Sequence, residues 1–143
     1  MKRFKFRLQR ILDVRVQIRD EARQELVRRN TERDHQIYVL AQLQDEFTRL
    51  GLTEGGTYSA NDITRLAAYS ERLTIAIAQQ KLVVAEAIQA AEVAHESYIE
   101  ASREAKVIEL LKDRKLQEYR AEQLRQEGAF LDELAGRGVN RDT

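Results

Sequence analysis

Cysteine, proline and tryptophan are absent from the 143 residues, and glycine (six), tyrosine (five) and phenylalanine (four) are sparse. Without cysteine there can be no disulfide framework and no thiolate metal site, which agrees with a reducing cytoplasm. The few scattered aromatics argue against a thick layered core. Long apolar runs are missing too: the longest spans a few residues, far short of the ~20 that a membrane-crossing helix needs. Residues 1–20 lack the apolar centre of a secretory signal. These absences point to a soluble, intracellular protein without a catalytic core.

What remains is rich in Ala, Leu, Glu, Arg and Gln, and charged residues make up 34% of the chain. Such a mixture is typical of long helices and coiled coils. Net charge is zero but unevenly spread. Residues 1–33 carry about six excess positive charges and residues 34–100 about six excess negative ones, while the remainder balances. That asymmetry bears on docking direction rather than on fold.

The pattern predicts an all-α, two-helix antiparallel coiled-coil hairpin spanning residues 1–143 as a single domain. Steps of three and four residues from Ile63 pass through Leu66, Ser70, Leu73, Ile77, Gln80, Val84, Ala87, Ala91, Ala94, Tyr98, Ala101 and Ala105 to Ile108. A seam held over about six heptads is the mark of a coiled coil. Beyond it, Leu111, Leu116, Tyr119, Leu124, Leu131 and Leu134 form a looser stripe. The first half is less regular. Phe4, Leu8, Ile11, Ile18 and Ala22 hold one register, Leu26, Ile37, Leu40, Leu43, Phe47 and Leu50 another, with a stutter between them. Residues 28–36 (RRNTERDHQ) contain no apolar side chain.

Gly51, Gly55 and Gly56 place the turn at about 51–58. Ser59 and Asp62 then form a capping box, with Tyr58 and Ile63 at the staple positions. Helix 1 is expected over about 4–50, helix 2 over about 59–135, and a frayed tail over 136–143. A tight turn makes partner numbers sum to about 110, so Phe4 is expected near Lys106. Arg15, Arg19 and Arg23 then face the alanine-rich seam at 85–94. About 30 residues of helix 2 would overhang without a partner, given lengths of roughly 70 and 110 Å for the two helices.

No catalytic constellation emerges. The elements Glu32–His35 and Glu92–His95 share the Glu-x-x-His spacing of helix-bundle di-iron sites. The hairpin places them some 30 Å apart, so they cannot share a metal. Phosphate loops and serine elbows are lacking, and no catalytic residue, metal or cofactor is expected. The basic start KRFKFRLQRIL allows a weak membrane-surface contact through residues 2–12, with Phe4, Phe6, Leu8 and Leu12 inward. The plainer reading is that these residues close the seam against residues 98–106. Zero net charge and the lack of an aromatic platform argue against nucleic acid.

The opening FKFRLQRILDVR resembles the start of FliJ proteins, which begin with a Phe-x-Phe-x-Leu run followed by a Leu and an Arg. The glycine turn near residue 55 followed by Tyr69 is similar as well. The tail IELLKDRKLQEYRAEQLRQEGAFLDELA resembles the family's Leu-Lys-x-(Lys/Arg)-(Lys/Arg), Tyr and Asp-Glu-x-Ala ending. The resemblance implies a non-enzymatic stalk of the flagellar type III export apparatus. Such a stalk binds the hexameric export ATPase, the membrane export gate and export chaperones at the cytoplasmic face of the flagellar base. It implies an ATPase-facing set on the overhang, namely Leu111, Arg114, Lys115, Leu116, Tyr119, Arg120 and Leu124. It also implies a gate-facing set nearer the turn: Gln36, Leu40, Leu43 and Phe47, with Tyr69, Leu73, Ala76 and Gln80. The stalk of a virulence injectisome, or an unrelated coiled-coil tether, is the alternative.

Overall fold

The computed structural model describes residues 2–52 and 54–141, with side chains as far as Val139. Two helices, α1 (Gln9–Thr48) and α2 (Ala60–Arg141), account for nearly all of them, and no strand occurs among the described residues. The two helices pack antiparallel as a hairpin. Their packing divides into two compact units, one of residues 20–99 and one pairing residues 1–19 with 100–143.

In the 20–99 unit the boundary signals act as the sequence implies. Gly55 takes a φ of 82°, which side chains other than glycine's rarely tolerate. Gly56 lies beneath the Tyr58 ring, where an added Cβ would come within 2.7 Å of the hydroxyl. The Ser59 N–H donates to Asp62 Oδ2 (3.0 Å) and the Asp62 N–H donates to Ser59 Oγ (3.1 Å), completing the capping box. The bond from the Ser59 N–H, with a contribution from the Ser59 hydroxyl, holds the Asp62 carboxyl below its ordinary pKa. Leu73, Val84, Ala91 and Ala94 are buried, and all four lie on the seam read from the heptads. Ile63, by contrast, is 50% exposed. The polar stretch 28–36 remains helical: Arg28 and Arg29 pair with Glu25, and Asn30, Arg33 and Gln36 take half-buried inward positions.

In the other unit Leu12, Ala101 and Ala105 are buried, Ala105 completely. Small side chains here let the helix axes approach closely. Arg15 pairs with Glu104 and Arg19 with Glu109 (3.2 Å). Ile11 and Ile18, assigned to the seam by periodicity, are instead 46% and 41% exposed, and Leu12, Arg15 and Arg19 turn inward.

Three expectations need correction. Helix 1 begins at Gln9 rather than near residue 4. The tail placed at 136–143 is helical to Arg141, residues 142 and 143 lying outside the described ones. The offset of about 110 between partner numbers is too small. In the 20–99 unit Gln80 bonds Gln36 and Tyr69 bonds Glu46, numbers that add to 116 and 115. Arg23 lies over the Tyr98 ring (5.9 Å) rather than over the alanines at 85–94. In the other unit Phe4 meets Tyr119, not Lys106. The connection between the helices leaves the first turns of α2 unpaired, which accounts for the exposed Ile63. The larger offset at Phe4 follows from chain geometry. An extended residue advances ~3.3 Å and a helical one 1.5 Å, so the non-helical residues 2–6 can run past about twice their number along α2.

Candidate functional site

Two surfaces carry the residues singled out by sequence, and each lies within one unit. The first is built where residues 2–8 meet α2. The run Lys2-Arg3-Phe4-Lys5-Phe6-Arg7-Leu8 alternates basic and apolar residues with a period of two, the rhythm of extended chain rather than helix. Among the described residues this segment is non-helical up to Gln9. Phe4, Phe6 and Leu8 are half-buried, whereas Arg3, Lys5 and Arg7 are exposed. The Phe4 and Tyr119 rings lie 5.4 Å apart at 49°, a favourable tilted pair. The Tyr119 hydroxyl donates to the Lys2 carbonyl. A cleft of ≈ 660 Å³ opens between the segment and Leu111, Lys115, Glu118, Tyr119 and Glu122.

This arrangement corrects the idea that the α2 stripe from Leu111 lacks an internal partner. Leu111, Leu116 and Tyr119 are half-buried, and Leu111 and Tyr119 line the cleft beneath residues 2–8. Arg114, Lys115 and Arg120 are exposed, and Glu118 lies 3.7 Å from Arg114 and 3.4 Å from Lys115. The unpartnered part of α2 begins after Gln123, and every residue from Leu124 to Val139 is exposed. Leu124 (69%), Phe130 (61%), Leu131 (63%) and Leu134 (47%) stand on it. Phe130, Leu131 and Leu134 belong with the candidate set although sequence reasoning left them out of it. The signal available was their apolar character beyond the last residue that helix 1 can reach. Near the start of this stretch Arg125 donates to Glu122 (2.8 Å), which holds the Glu122 carboxyl below its ordinary pKa and raises that of the guanidinium.

The second surface lies in the 20–99 unit. Here the structure brings the gate-facing set together, but much of it serves the hairpin. Leu73 is 5% exposed and belongs to the seam. Gln36, Leu40, Leu43, Ala76 and Gln80 are half-buried. Gln80 donates to both the backbone carbonyl and the side-chain oxygen of Gln36, at 3.0 and 2.7 Å, which satisfies an amide on an otherwise apolar seam. Phe47 and Tyr69 are the accessible members, 42% and 41% exposed. The Tyr69 hydroxyl donates to Glu46 (3.2 Å), and this hydrogen bond, together with the carboxylate's charge, raises the Tyr69 pKa. Phe47 borders a shallow groove with Gln44, Thr74, Ile77 and Lys81.

Of the two Glu-x-x-His elements, Glu92 and His95 border a groove with Leu26, Asn30 and Arg33. No group of three or more His, Asp or Glu side chains that could hold a metal occurs among the described residues. No helix among them is long and apolar enough to cross a membrane. What both surfaces offer is apolar area framed by charge.

No curated protein and no solved structure matches the chain. The family described as "Flagellar FliJ protein" does match, over residues 4–143. The match covers residues 4–8 of the N-terminal segment, both helices and the exposed end of α2, and the chain therefore belongs to the FliJ family and has a role in flagellar protein export.

Proposed function

We propose that the chain is a non-enzymatic stalk of the flagellar type III export apparatus that joins the hexameric export ATPase to the membrane export gate and escorts export chaperones. The observation that carries this reading is the exposed helical end after Gln123, with Leu124, Phe130, Leu131 and Leu134 unpartnered on a chain of this family. An amphipathic helix end with no internal partner is a natural docking element. The ATPase-facing set then comprises Leu111, Arg114, Lys115, Leu116, Tyr119, Arg120 and Leu124, extended by Phe130, Leu131 and Leu134. The gate-facing set is Gln36, Leu40, Leu43, Phe47, Tyr69, Leu73, Ala76 and Gln80, within which Phe47 and Tyr69 are the accessible anchors and Leu73 holds the scaffold. Hydrolysis of ATP belongs to the partner. The stalk works in the cytoplasm, at the inner face of the membrane beneath the flagellum, and the cations of residues 2–12 allow a weak contact with that surface.

The test is truncation after Gln123. All buried core residues and the partners of residues 2–8 are kept, so helicity per residue and melting temperature are expected to hold. Stimulation of the hexameric ATPase, read as phosphate release, is expected to fall while binding to the gate persists. Full stimulation by the shortened chain would remove the helical end from the ATPase-facing surface.

A further inference from the structure

Residues 2–8 lie over the α2 face, around Leu111 and Tyr119, that the proposed function turns toward the ATPase. We propose that this segment is a displaceable strap: it closes that face in the free chain and must leave before a partner can read it. The inference rests on assigning the 111–124 face to the ATPase, and adds the regulation of that site.

The strap is built to be held weakly. It is not helical, and its backbone is tied to α1 only at its end, where the Gln9 and Leu12 N–H groups donate to the Phe6 and Leu8 carbonyls. Among the described residues, one hydrogen bond joins it to α2, from the Tyr119 hydroxyl to the Lys2 carbonyl. Its apolar residues are half-buried rather than buried. Few buried contacts and backbone open to solvent are the attributes of segments that open first.

Charge works in the same direction. Arginines on the helices pair widely: Arg15, Arg19, Arg28, Arg29, Arg125 and Arg137 each have a carboxylate within 4 Å. Lys2, Arg3, Lys5, Arg7 and Arg10 are all exposed, and no ion pair reaches any of them among the described residues. Four of these cations, Lys2, Arg3, Lys5 and Arg7, lie on the strap itself, repel one another and offer an acidic surface on the ATPase a handle for lifting it. Beneath it the site is already formed, because Leu111 to Glu122 belong to α2 whether or not the strap is present. Displacement would therefore exchange one set of apolar contacts for another without refolding the helix.

Phosphate release by the ATPase separates the possibilities. The full chain is compared with a variant lacking residues 2–8 and with Phe4→Ala/Phe6→Ala, which keeps the chain length. Both are first checked for unchanged helicity. Both are expected to reach half-maximal stimulation at ~tenfold lower concentration, the factor for a face open in about one chain in ten. A synthetic peptide of residues 2–8 is expected to reverse the gain of the deletion variant and to leave the full chain unaffected. Equal or weaker stimulation by both strapless variants would overturn the strap if Leu116→Ala/Leu124→Ala still lowers stimulation. Were that last variant to stimulate as well as the full chain, the face assignment would fall and the strap with it.

Discussion

The two units solve the same problem, covering one face of α2, in different ways. In residues 20–99 helix covers helix, and the partners advance at the same 1.5 Å per residue on both sides. In the unit built from 1–19 and 100–143 an extended segment finishes what α1 begins, and a few residues reach across several turns of α2. Their charges differ as well. The first unit has eight Lys and Arg against thirteen Asp and Glu, the second sixteen against eleven. The contrast teaches that helical pairing gives a durable seam, whereas an extended cover gives reach at the cost of depth. Durability suits a scaffold and reach suits a surface that is to be exposed on demand.

The sharpest way to break this comparison is to strike each cover in its centre. Leu73→Asp places a carboxylate at a position only 5% exposed and is expected to cost about 3–5 kcal/mol, lowering the melting temperature followed by circular dichroism. Phe4→Ala, in the half-buried segment, is expected to cost about 1 kcal/mol. Equal losses would mean that the extended cover is as firmly held as the seam.

A second change sharpens the role of close approach. Ala105 is fully buried, so Ala105→Leu is expected to destabilise by about 1–3 kcal/mol through overpacking, measured by urea unfolding. Ala85→Leu, at an exposed position on the same helix, is expected to change stability by less than about 0.5 kcal/mol. A stabilising Ala105→Leu would show that the alanines leave space rather than fill a contact.

The smallest effect concerns the start of α2. Ser59→Ala removes one acceptor of the capping box and is expected to cost about 1 kcal/mol at neutral pH. The folded-state pKa of Asp62 is lowered by its bonds to Ser59. Its stabilising effect is therefore present above the ordinary carboxylate range, near 4, and is lost as pH falls through the lowered value. The gap between the melting temperatures of the parent chain and Ser59→Ala should accordingly shrink in acid. A gap that is the same at neutral pH and in acid would mean that the Ser59 hydroxyl does not act on the carboxylate, whose bond from the Ser59 N–H the substitution keeps.

Much of this could be read from residues alone, for identifiable reasons. Every seam position from Leu66 to Ile108 is buried or half-buried, because a three-four rhythm specifies which side of a helix meets its partner. The cap at Ser59 and the turn at Gly55 depend on neighbours a few residues away, so local chemistry suffices. The candidate surfaces were less legible. Periodicity names the inward face of α2 but says nothing of how far one helix is shifted along the other. That shift moved Phe4 from Lys106 to Tyr119 and changed which part of α2 stays uncovered. The alternation of Phe4, Phe6 and Leu8 did signal extended chain, but the apolar residues that follow continue at helical spacing and mask it.

Sequence by itself determined the two helices, the side that α2 turns inward, the turn between them and the capping of the second, all of them consequences of interactions within a few residues or of periodic burial. Tertiary structure alone decided the axial offset, the part of α2 on which residues 2–8 lie and the point after Gln123 where α2 goes on unaccompanied. Those depend on the length and path of the connection and on side chains more than a hundred residues apart in the chain, such as Phe4 and Tyr119, and no local pattern encodes a contact at that separation.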